Sequence, residues 1–198
     1  MIVLMSAFLL LSAFSCGGGN KANSTSEQDE KTVVNVPQFD ADSAYLYVKN
    51  QVDFGPRVPN TKEHVACGNY LAGKLEAFGA KVTNQYADLI AYDGTLLKAR
   101  NIIGSYKPES KKRIALFAHW DTRPWADNDA DEKNHHTPIL GANDGASGVG
   151  ALLEIARLVN QQQPELGIDI IFLDAEDYGT PQFYEGKHKE EALSLIHI

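Results

Sequence analysis

Residues 113–121 read RIALFAHWD, and residues 168–177 read IDIIFLDAED. Each is a short apolar run that ends abruptly in acidic residues or histidine. RIALFA and IDIIFL have the length and composition of strands buried on both faces of a sheet. Between them, residues 147–159 place Val149, Leu152, Leu153, Ile155, Ala156 and Val159 on one side of a helix. Strand, helix and strand in that order make a βαβ unit, which predicts two parallel strands in one sheet.

The polar residues sit where such a fold uses them. In open α/β sheets, ligands bind beyond the carboxyl ends of the strands. His119 and Asp121 follow the first strand; Asp174, Glu176 and Asp177 follow the second. Asp144, within GANDGASG at 141–148, precedes the helix, and the loop 122–143 is long enough to return it to the same edge. Carboxylates gathered at one edge repel each other unless a cation compensates them. With a histidine among them, the mixed nitrogen and oxygen set suits zinc. In the adjacent pair Glu176 and Asp177, one carboxylate can hold metal while the other moves protons.

Taken singly, each residue has an ordinary explanation. Asp144 is the kind of residue that caps a helix, His119 the kind that serves structure, and Asp-x-Glu-Asp after a strand is commonly a solvated turn. Their joint placement at strand ends is what singles them out. Two other patterns fail. Ser147 resembles a nucleophile elbow, but Val149 stands where a final glycine is needed. Asp127, Asp129 and Asp131 have calcium-loop spacing, but Glu132 replaces the turn glycine and Pro138 the closing glutamate. Residues 127–136 (DNDADEKNHH) are therefore expected to form a solvated, mobile loop.

Upstream, Ala44, Leu46, Val48 and Val52 recur at mostly helical spacing after a cap at Asp40 or Asp42. FGPRVP at 54–59 ends that helix. Residues 61–78 predict a second helix, capped by Thr61, with Val65, Tyr70, Leu71, Leu75 and Phe78 on its apolar face, and Gly79 ends it. Residues 81–91 and 96–106 read as strands joined at Asp93-Gly94, a hairpin signal. The chain has 198 residues and a formal net charge of -8, which argues against a nucleic-acid binder.

Residues 1–14 hold no charged residue and read as the apolar core of a signal peptide, too short to span a bilayer. Cys16 follows directly and reads as a lipid-attachment cysteine. Residues 17–35 read as a flexible tether. Cys67 then has no disulfide partner and is expected to be a small buried residue. The expected location is exported, as a periplasmic or outer-membrane lipoprotein that meets membrane only through its lipid anchor.

Several stretches together resemble the bacterial branch of the glutaminyl-peptide cyclotransferases, within the M28 zinc-peptidase superfamily. They are FGPRVP (54–59), NIIG (101–104), AHWDTRPWADND (118–129), GANDGASGVGALLEIAR (141–157) and IFLDAEDYG (171–179). The resemblance implies a zinc-exopeptidase-like α/β fold: a central mixed, mainly parallel sheet flanked by helices, spanning residues 36–192 and incomplete at the C-terminus. It implies zinc ligation by Asp144 and Asp177, with a third ligand, a histidine, downstream of residue 198. Glu176 becomes the general acid/base. His119 binds metal only in dizinc aminopeptidases. Asp121, Arg123, Trp125 and Asp174 become supporting or substrate-contacting residues.

The implied substrates are peptide or protein N-termini. The implied reaction converts an N-terminal Gln to pyroglutamate with release of ammonia, using one zinc ion. A dizinc M28 aminopeptidase is the alternative, and a non-catalytic peptide-binding lipoprotein is a third reading. Residues 193–198 (LSLIHI) break from the family pattern and read as a non-native tail. His188 and His197 lie outside the family's context for a ligand. On that reading the chain alone is expected to be inactive and poorly stable.

Overall fold

The first helix begins where Asp40 can cap it. The Asp40 carboxylate accepts from the N–H groups of Asp42 and Ser43, and α1 runs from Ala41 to Asp53. Thr61 caps α2 (Lys62–Ala77) in the same way. After a hairpin of β1 (Lys81–Ile90) and β2 (Leu96–Tyr106) come β3 (Arg113–His119), α3 (Ala146–Gln161) and β4 (Gly167–Leu173). The 94th residue, a glycine with φ +85°, makes the hairpin turn that Asp93-Gly94 predicts. This computed structural model describes residues 35–185. Cys16, the tether, His188, His197 and residues 193–198 lie outside them. No described helix is long and apolar enough to cross a membrane.

The strands form one mixed sheet in the order β1-β2-β4-β3. β1 and β2 pair antiparallel, as do β2 and β4. β3 and β4 are parallel, with Ala118 opposite Phe172 and His119 opposite Leu173. The βαβ unit read from the sequence is therefore present, and α3 is its crossover.

Ile102 and Tyr106 of β2 and Ile168, Ile170 and Phe172 of β4 project to one side of the sheet. They share a core with Tyr47 of α1, Leu71 and Leu75 of α2, and Val149, Leu153 and Ala156 of α3. α2 and α3 thus lie against that face, and α1 packs on α3. The contact faces are set by close approach. A Cβ on Gly150 of α3 would come within 2.7 Å of Val48 Cγ2 and 2.9 Å of the Ala44 carbonyl. This places Ala44, Tyr47, Val48 and Gln51 on the inner stripe of α1, at i, i+3, i+4 and i+7. Tyr47 and Gln51 are buried while Leu46 is exposed, which corrects the expected face. Val65 of α2 is exposed for the same reason: the inner stripe is His64, Cys67, Gly68, Leu71, Ala72 and Leu75. Cys67 is fully buried, and burial pushes its thiol up to about 12, as an inert core residue requires.

β4 is buried along its length, but β3 is not buried on both faces. It forms the margin of the described sheet, where Ile114 is 46% and Phe117 48% exposed. An apolar run reports the tendency to be covered; it does not say which element does the covering.

Away from the core, Arg113 Nε and Nη2 donate to Asp169 at 2.8 and 2.6 Å, and Ser105 Oγ donates to it at 2.6 Å. The Arg113 hydrogen bonds hold the Asp169 carboxyl below its ordinary value. Its stabilising contribution is therefore complete above the unfolded pKa of about 3.9. It is lost as pH falls through the lower folded value. Asp169→Asn is expected to lower the thermal midpoint at pH 7 and to flatten the acid loss of stability below about pH 4. An acid limb that keeps its wild-type shape in the variant would contradict this.

Candidate active site

The carboxyl ends of β3 and β4 open on the same edge, and the loop before α3 returns there. Gly145, with φ +86°, leads into α3, and a Cβ at that position would meet the Asp121 carbonyl at 3.0 Å and His119 Cε1 at 3.1 Å. This tight passage brings Asp144 to His119: Nε2 of the histidine is 3.0 Å from Asp144 Oδ1. On its other side, His119 Nδ1 faces Asp121 Oδ1 at 3.5 Å and Glu176 Oε2 at 3.7 Å. These are charge contacts rather than hydrogen bonds. The structure thus gathers His119, Asp121, Asp144, Glu176 and Asp177 at one edge.

Burial opposes charge on His119. The Asp121 carboxyl and the charges of Glu176 and Asp144 outweigh that effect and raise its pKa to about 9. Asp177 shows the reverse problem. Burial first, then the negative charges of Asp144 and Asp121, push it up to about 7. Its Oδ2 is buried and has no hydrogen-bond partner. Among the described residues, no group of three or more His, Cys, Asp or Glu side chains is placed to hold a metal ion unaided.

Asp121 is fully buried and accepts from the N–H groups of Glu176 (3.2 Å) and Asp177 (3.0 Å). Its principal contact is therefore the turn that carries those two acids, with His119 further off. Asp174 is also buried, at 3% exposed. Arg123 grips Asp127 with two hydrogen bonds, at 2.6 and 2.7 Å, and donates through Nη1 to the Asp177 carbonyl and through Nη2 to the Thr180 carbonyl. Asp127, 3% exposed, therefore belongs to the buried frame and not to the solvated loop expected for residues 127–136. From Asp129 to His136 that loop is largely exposed, with one short turn at Glu132–Asn134.

Trp125 packs edge-on against Tyr178 (5.2 Å between ring centroids), Tyr92 (5.9 Å) and Phe183 (6.4 Å). With Arg123, Ile139 and Asp144, it lines a cavity of about 300 Å³. Trp125 is its aromatic wall, and Asp127, Asn128 and Asp129 complete a mostly polar lining.

Three residues that frame the site were not singled out by sequence reading. Arg57 is fully buried, and its guanidinium donates to the carbonyls of Trp120 (3.2 Å), Leu140 (2.6 Å) and Gly141 (2.9 Å). It ties the ends of β3 and of the long loop together. The signal was present in FGPRVP, an arginine set in an apolar turn. His64 bonds to Asp174 across 110 residues, and Tyr92 comes from the hairpin tip. Neither carries a local signal.

Over residues 101–193, the chain matches peptidase family M28. It is similar to a zinc-dependent exopeptidase from Parabacteroides distasonis: 66% identity and TM-score 0.76, over 77% of this chain and 52% of that one. It is similar to glutaminyl cyclase from Tannerella forsythia: 60% identity and TM-score 0.75, over 76% of this chain and 52% of that one. It is likewise similar to glutaminyl cyclase from Porphyromonas gingivalis: 52% identity and TM-score 0.73, over 79% and 53%. The chain spans about half the length of each of these structures. The chain therefore matches peptidase family M28 over residues 101–193 and shares its fold with bacterial glutaminyl cyclases and a zinc-dependent exopeptidase.

Proposed function

We propose that this chain belongs to a zinc-dependent glutaminyl-peptide cyclotransferase acting on peptide or protein N-termini. One observation carries the reading: Asp177, whose buried Oδ2 has no donor among the described residues, lies under the negative charges of Asp144 and Asp121. A carboxyl pushed up to about 7 by burial, and then by neighbouring carboxylates, fits a cation's place. Asp144 and Asp177 are the ligands this chain supplies; a third is proposed to come from the part of the fold that the relatives carry beyond the matched span. Bound there, zinc supplies a Lewis acid for an amide carbonyl.

Glu176, partly open to solvent beside His119, moves the proton. It takes it from the α-amine of an N-terminal Gln as that nitrogen attacks the side-chain carbonyl carbon. It returns it to the side-chain nitrogen, which leaves as ammonia when its C–N bond breaks. Because nucleophile and electrophile share one residue, the protein's main task is to hold the productive conformation. The cavity walled by Arg123, Trp125 and Ile139 beside Asp144 is where that residue is held. The sequence start further supports export, with lipid attachment at Cys16.

The 3.0 Å approach of His119 to Asp144 favours a second reading, a dizinc aminopeptidase with His119 as a ligand. Glu176 would then take its proton from the attacking water. Metal analysis of His119→Gln in the complete gene product separates the two. The cyclase reading expects about one zinc per protein before and after substitution. Two zincs falling to one on substitution would establish the peptidase.

A further inference from the structure

Behind the turn that carries Glu176 and Asp177 lies a second buried polar cluster. His64, on the inner stripe of α2, is 3% exposed. Its Nε2 is 2.9 Å from both oxygens of Asp174, so a single N–H is shared between them. The imidazole lies flat on Trp120, with ring centroids 4.2 Å apart and planes 16° from parallel. Trp120 Nε1 donates to the Arg100 carbonyl at 3.1 Å, and the Arg100 N–H donates to Asp174 Oδ2 at 2.6 Å. The Ala175 N–H donates to Asp174 Oδ1 at 2.7 Å, and the Asp174 N–H donates to Asn101 Oδ1 at 2.9 Å.

Ala175 itself adopts φ +61°. A residue with a Cβ holds that conformation only when its surroundings impose it. It is the residue that turns the chain from Asp174 to Glu176 and Asp177. The turn is therefore gripped on one side by Asp121 and on the other by Asp174. Asp174 is in turn gripped by a side chain from a helix 110 residues earlier.

We propose that His64 is a positioning residue of the active site. By holding both Asp174 oxygens, it fixes the left-handed turn at Ala175 and so aims Asp177 and Glu176 at the cation. The proposal rests on the zinc reading above. His64 touches neither metal nor substrate; it acts through Asp174, as groups behind metal ligands do.

The test is zinc affinity by chelator competition in the complete gene product, alongside kcat, KM and melting. His64→Phe keeps the ring stacked on Trp120 and removes the N–H. Zinc affinity is expected to fall about 10–100-fold, with kcat reduced and KM little changed. His64→Gln carries an amide N–H on a longer arm towards Asp174 and is expected to recover most of the affinity. If His64→Phe does not fold, His64→Asn replaces it, because its amide is too short to reach Asp174; it is expected to bind zinc more weakly than His64→Gln. Zinc affinity and kcat at wild-type level in the variant lacking the N–H, even with a lowered melting point, would overturn the proposal. Wild-type protein that binds no zinc would overturn the zinc reading and the proposal together.

Discussion

Glu176→Gln in the complete gene product is expected to lower kcat by about 10²–10⁴-fold while leaving zinc content and melting temperature unchanged. The Glu176 N–H is held by buried Asp121, so the residue's position does not depend on its side-chain charge. Its carboxylate reaches towards His119 at 3.7 Å and stays 36% exposed, open to a substrate. Gln matches Glu in shape but cannot accept a proton at neutral pH. Proton transfer is lost; folding and metal binding, assigned to Asp144 and Asp177, are not. A variant that loses its zinc would make Glu176 a ligand. One that turns over normally would remove it from the chemistry.

Arg57→Met is expected to destabilise the protein by about 3 kcal/mol or more, read from denaturant midpoints. Methionine fills much of the volume, so the loss is chiefly electrostatic. The buried carbonyls of Trp120 and Gly141, and the part-buried one of Leu140, lose the donors they now have. Burial already lowers the Arg57 pKa, the mark of a charge that is tolerated because its hydrogen bonds are made. Arg57→Lys is expected to recover only part of the loss, because one ammonium cannot reproduce a planar fork bonded to three separated carbonyls. Activity should fall as well, since Leu140 and Gly141 lie at the end of the loop that delivers Asp144. A Met variant with the wild-type midpoint would show that these carbonyls find other donors.

The parts of this fold that obey short-range rules were legible. RIALFA, IDIIFL and the helix between them specified a parallel pair, and the pair formed. Asp40 and Thr61 read as caps and act as caps. The edge shared by His119, Asp144, Glu176 and Asp177 was legible because strand ends project in a known direction. The long loop's return was not fixed by the sequence pattern; it depends on the close passage at Gly145 and on Arg57 binding Leu140 and Gly141.

What remained hidden is long-range. Leu46 and Tyr47 are both plausible inner residues by composition, and only the approach of Gly150 decides between them. Asp127 sits in a run of acids that looks solvated, yet Arg123 and the Gln182 N–H draw it inside. His64 has no neighbour in sequence that explains it, because its partner, Asp174, is 110 residues away.

The central claim is tested most directly by incubating the zinc-loaded complete gene product with a peptide that begins in Gln. Ammonia and the pyroglutamyl peptide are quantified together with zinc on the same sample. The account predicts equimolar ammonia and pyroglutamyl product, lost when zinc is chelated and restored when it is returned, with about one zinc per protein. Release of a free N-terminal amino acid, with no ammonia and about two zincs, would contradict it.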